Sequence, residues 1–104
     1  MIRTVLTLRM APERVAEVVE LYRRQDILQH SLDLTEALRS ELSIATSGSG
    51  VVMVTAVWPS IEAYQAWLDN PSRRESSDRL NALLDGASVG SGATFSIIQS
   101  VSKD

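Results

Sequence analysis

"VVMVTAVWPSIEAYQAWL", residues 51–68, divides at Pro59 into two segments of different periodicity, and that division decides the fold. Before the proline runs a nearly continuous apolar segment rich in β-branched side chains, too short for a helix and suited to a central strand. After it, Ser60 offers an N-cap, and Ala63, Tyr64, Trp67 and Leu68 fall at helical spacing on one side. The same stretch holds two tryptophans and a tyrosine, although the whole chain of 104 residues has only two Trp, two Tyr and one Phe. Helical spacing of aromatics describes a packed core as readily as the wall of a ligand cavity.

Working upstream, "GSG" at 48–50 turns the chain, so "LRSELSIAT" at 38–46 reads as the hairpin partner of the apolar strand, with Leu38, Ser40, Leu42 and Ile44 on one face. "LTEAL" at 34–38 is ambiguous between a helical turn and the approach to that strand. "APERVAEVVELYRRQDILQ" at 11–29 carries Pro12 in a first-turn position and Val15, Val18, Val19 and Tyr22 along one side, which is a helix. His30, the only histidine, follows its end. "IRTVLTLRM" at 2–10 alternates, with Ile2, Thr4, Leu6, Leu8 and Met10 on one face and Arg3, Val5, Thr7 and Arg9 on the other. Downstream, "NPSRRESSDRLNALLDG" at 70–86 reads as a second helix after Pro71, with Ser76, Ser77, Leu80, Leu83 and Leu84 inward and Gly86 as its stop. "ASVGSGA" is a link, and "TFSIIQSV" at 94–101 reads as the last strand.

The order β-α-β-β-α-β is the split βαβ arrangement of the ferredoxin-like α+β fold, with a four-stranded antiparallel sheet and helices on one face. The other face is left bare. One domain spanning residues 1–104 is expected, and a core of that size gains from a second copy closing on the open face, so a homodimer is predicted.

Composition narrows the chemistry. Hydrophobic residues at 44% and charged residues at 22% are the balance of a globular chain. No apolar run approaches the roughly 20 residues of a membrane span, and the N-terminus lacks a signal-type apolar region, so the expectation is a cytoplasmic protein without a membrane partner. The absence of cysteine removes disulfides, thiolate nucleophiles, Cys-ligated zinc and iron–sulfur clusters. A net charge of -3, with arginine pairs interleaved with acids, argues against nucleic acid. One histidine leaves too few ligands for a transition-metal site, and no glycine-rich strand-to-helix fingerprint is present, so no cofactor is expected.

Residues 51–74 carry a resemblance. The Trp58 that ends the apolar strand, Tyr64 on the following helix and Trp67 one turn later, then "DNPSRR", are similar to the antibiotic biosynthesis monooxygenase family of dimeric α+β barrels. The resemblance covers nearly the whole chain and departs from the family at residues 28–46, where "LTEA" replaces a Pro-Gly pair. Two branches of the family give it meaning. The haem-degrading branch has a first-strand asparagine, a helix tryptophan and a later histidine on the iron; here only Trp67 matches, because Leu6 or Thr7 stands at the asparagine position and Ser76 or Ser77 at the histidine position. The quinone-forming branch oxidises a polycyclic anthrone with O₂ and neither metal nor flavin. Its tryptophan and tyrosine match Trp58 and Tyr64, while its asparagine falls on Val54 and its arginine on Asp78, with Arg79 adjacent.

The resemblance therefore implies a cofactor-independent monooxygenase acting on a polycyclic, polyketide-type aromatic. Trp58, Tyr64 and Trp67 are the expected catalytic residues. Tyr22 and Phe95 are further candidate walls, and Arg73, Ser76, Ser77 and Arg79 are candidate polar contacts to a phenolate or quinone oxygen. His30 joins the candidates because its ordinary pKa suits proton transfer near neutrality. A non-oxidative polyketide cyclase or small-aromatic-binding protein on the same fold is the alternative, followed by a haem-binding member with a degenerate site.

Overall fold

The apolar run is strand β3, Val51–Trp58, which lies inside an antiparallel sheet between β1 (Ile2–Arg9) and β2 (Arg39–Ile44). The structure is a computed structural model and describes residues 1–71, 88–89 and 92–103. Helix α1 spans Val15–Arg24 after a 3₁₀ turn at Pro12–Arg14, α2 spans Ile27–Leu34, and α3 spans Ile61–Leu68. Two short strands, β4 (Ser88–Val89) and β5 (Ala93–Ser96), both pair with the free side of β1. Leu8 faces Val89 while Val5 faces Ala93, so three steps along β1 answer four on the returning chain and the register slips by one residue. Together β4 and β5 make the fourth strand position, and the sheet order β2-β3-β1-β4 is that of the expected ferredoxin-like α+β fold.

Alternation along β1 and β3 separates the two faces. Leu8 and Val52 are fully buried and directly opposite each other, at the centre of the side the helices cover. Around them Met10, Val18 and Tyr22 complete one buried cluster, joined by half-buried Leu6, Leu42 and Val54 of the sheet. A second cluster forms at the other end of the strands, where Ile2, Trp58 and Ala63 are buried and Ala56, Tyr64 and Trp67 pack against them. Burying one Leu or Val side chain contributes about 1.5–3 kcal/mol, so the Leu8–Val52 pair anchors the helical face.

The first helix differs from the sequence expectation. It breaks after Gln25 because Asp26 adopts a left-handed conformation, φ 53° and ψ 40°, and the chain restarts as α2 in a new direction. Asp is among the few non-glycine residues that tolerate this region. His30 consequently lies within α2 rather than after a helix, and its side chain is exposed. Leu38 and Ile44, which the sequence puts on one face of the second strand with Leu42, are 57% and 52% exposed, while Leu42 between them packs against the first cluster. Ser88–Val89, read as part of a link, pairs with β1. The helix expected over 70–86 lies outside the described residues beyond Pro71.

At the hairpin end, Gly50 has φ 88°, and its carbonyl accepts a 3.0 Å hydrogen bond from the Met10 amide. A Cβ at this position would overlap the Met10 carbonyl oxygen, so both torsion and space demand glycine.

Candidate functional site

Helix α3 begins where Pro59 ends the strand. Ser60 sits in extended conformation and its Oγ accepts a 3.1 Å hydrogen bond from the Ala63 amide, closing the N-terminus. That cap fixes the phase of the helix. Ala63, Trp67 and Asn70 follow at i, i+4 and i+7 and face the end of α2, while Tyr64 is turned toward Trp58.

Trp58 and Tyr64 meet with ring centroids 5.3 Å apart and planes tilted by 60°. Trp58 is 3% exposed, and its indole Nε1–H donates to Thr4 Oγ1 at 3.1 Å. Thr4, itself buried, is a residue the sequence reading did not single out. Its inward position in the alternating first strand was the available signal: it stands opposite Ala56, one inward step from the Ile2–Trp58 pair. With its only polar hydrogen already bonded, Trp58 is a pillar beneath the site. The Tyr64 hydroxyl is directed to the β4–β5 edge, where a Cβ on Gly92 would stand 3.2 Å from it.

A cleft of about 300 Å³ opens between α3 and the end of α2. Ala63, Ala66, Trp67 and Asn70 form one wall; Asp33, Leu34, Thr35 and Glu36 form the other. The Thr35 hydroxyl is committed locally, donating to the Ser31 carbonyl at 2.8 Å and accepting from the Ala37 amide at 3.1 Å. One Asp33 oxygen accepts a 3.0 Å hydrogen bond from Gln29. The α2 wall could not be read from sequence, because "LDLTEA" carries no periodicity that says which element it will face.

The structure brings Trp58, Tyr64 and Trp67 together in one cluster. It places Tyr22 in the other cluster, 5% exposed, where burial pushes its phenol up to about 12. A phenol so shifted stays neutral and serves as core, not as a base near neutral pH. Phe95 stands opposite Arg3 on the face away from the helices and is 55% exposed, so it does not wall the space beside Trp67. His30 is exposed on α2. Arg73, Ser76, Ser77 and Arg79 lie outside the described residues. Leu6, which with Thr7 is one of the two positions where the resemblance puts the haem branch's asparagine, is the direct cross-strand partner of Val54, where it puts that of the quinone-forming branch. Both pack against the first apolar cluster, whereas Thr7 pairs with Met53 on the other face.

Comparison with known proteins agrees with the architecture. The chain is similar in fold to a candidate antibiotic biosynthesis monooxygenase from Deinococcus radiodurans, with TM-score 0.72 and 20% identity over 98% of this chain and 97% of that one. A haem degrader from Mycobacterium tuberculosis, solved with two haems in its active site, superposes with TM-score 0.74 and 17% identity over 98% of this chain and all of that one. A further antibiotic biosynthesis monooxygenase gives TM-score 0.65 and 17% identity over 98% and 100% of the two chains. At such identities the likeness is one of fold. No protein of curated function matches at the sequence level. The sequence model described as antibiotic biosynthesis monooxygenase matches residues 1–79, which take in both clusters and the whole of α3. This chain belongs to the antibiotic biosynthesis monooxygenase family.

Proposed function

We propose that the protein is a cofactor-independent monooxygenase that oxidises a polycyclic phenolic substrate of the anthrone type to a quinone, using the cleft beside Trp67. The observation that carries the reading is the placement of Trp67 on the cleft wall, with the Trp58–Tyr64 pair packed in the same cluster behind it. A flat ring system is matched by an indole face and the small side chains of Ala63 and Ala66.

The reaction balances without a cofactor. The anthrone methylene becomes a carbonyl, one oxygen atom of O₂ enters the product, and the other leaves as water with the two methylene hydrogens. Both electron pairs come from the substrate. The protein's part is to bind the ring, favour its electron-rich enolate and keep water from the reacting carbon. Haem degradation has less support: the cleft walls described here include no imidazole, and the chain's one histidine is exposed on α2.

The working form in this reading is a homodimer. On the face away from the helices, Met53 is 37% exposed and Phe95 55%; beyond β5 the chain carries Ile98 at 90% and Val101 at 87%. A second copy closing on this face would cover them.

Oxygen uptake with 1,8-dihydroxyanthrone, in chelator and without added cofactor, tests the reading. Consumption of one O₂ per quinone formed, well above the protein-free rate, is expected. A rate equal to autoxidation would overturn it.

A further inference from the structure

We infer that the cleft beside Trp67 selects aromatic ligands whose edge carries hydrogen-bond donors and no carboxylate, with Asp33 and Glu36 as the selecting residues. This rests on the aromatic site proposed above and adds its charge rule.

The described walls pair the aromatic surface of Trp67 with a side that carries two carboxylates beside Leu34 and Thr35. Trp67, Ala63 and Ala66 supply the apolar side. Opposite them, the Thr35 hydroxyl has both its donor and an acceptor position occupied within the chain. Charge on the described lining is carried by the carboxylates of Asp33 and Glu36. Ionised carboxylates accept hydrogen bonds and cannot donate them. A ligand lying on Trp67 therefore meets two carboxylates along the α2 side: phenolic hydroxyls are complementary to these, and a ligand carboxylate would face like charge. Because both acids are exposed, the effect is a moderate, salt-sensitive discrimination.

The test uses 1,8-dihydroxyanthraquinone and its 3-carboxylate as probes, titrated against the dimeric or monomeric protein as purified, with quenching of tryptophan emission as readout. At low ionic strength the uncharged quinone is expected to bind at least about threefold more tightly than the carboxylate, and the gap is expected to narrow as salt is raised. In the double variant Asp33→Asn, Glu36→Gln the carboxylate should gain about threefold relative to the uncharged quinone, because the repulsion is gone while the amide oxygens still accept hydrogen bonds. Equal affinity of the two probes in the wild type, or an unchanged ratio in the double variant with circular dichroism as in the wild type, would overturn the charge rule and leave the aromatic site standing. Failure of both quinones to quench at any salt concentration would overturn the site and the charge rule together.

Discussion

The Thr4–Trp58 hydrogen bond ties the site to the sheet at the scale of single residues. Removing its acceptor leaves a buried indole N–H without a partner, so Thr4→Val should cost about 1–3 kcal/mol in urea unfolding, despite being nearly isosteric. Tyr22 gives a pH signature. Its folded-state pKa is raised from 10.0 to about 12, so the folded protein holds a proton that the unfolded chain releases. Stability from this group is full below pH 10 and is lost as pH rises from 10 toward 12, at up to about 1.4 kcal/mol per pH unit. Tyr22→Phe should flatten that alkaline loss in pH-dependent denaturation; an unchanged slope would assign it to other groups. Helical spacing in the sequence did place Tyr22, Tyr64 and Trp67 on inward faces. It did not say that Tyr22 belongs to a separate cluster, because periodicity fixes the side of a helix and not which end of the sheet that side reaches.

Among the elements, β3 and α3 were the most legible, since the Val51–Trp58 run, Pro59 and the Ser60 cap each act within a few residues of themselves. The break at Asp26 was not legible: Asp neither removes a backbone donor as Pro does nor frees the torsion as Gly does, and the apolar pattern runs on into Ile27 and Leu28. Its left-handed torsion makes a prediction. Asp26→Gly should raise stability by up to about 1 kcal/mol, because glycine occupies this region without the Cβ penalty. Gly50→Ala should do the opposite, costing more than about 1 kcal/mol, since the new methyl meets the Met10 carbonyl oxygen at a positive φ. Thermal unfolding of the two variants measures both signs.

At the level of the whole molecule, the strand order and the bare sheet face followed from element order alone, whereas the cleft did not, because it lies between α2 and α3 and α2 was not foreseen. The homodimer is a prediction at this scale. Light scattering should give twice 11.4 kDa, and Met53→Lys, placed on the exposed sheet face, should shift the mass toward the monomer. The central claim is that oxidation takes place against Trp67 and that this side chain acts on a ligand more than it supports the core. Trp67→Phe, assayed for 1,8-dihydroxyanthrone oxidation and thermal unfolding on the same preparation, tests it most directly. The account predicts a fall in kcat/KM of about tenfold, roughly 1.4 kcal/mol of transition-state binding, with a midpoint within about 4 °C of the wild type. Unchanged kcat/KM together with a clearly lowered midpoint would show Trp67 to be core and would contradict the account.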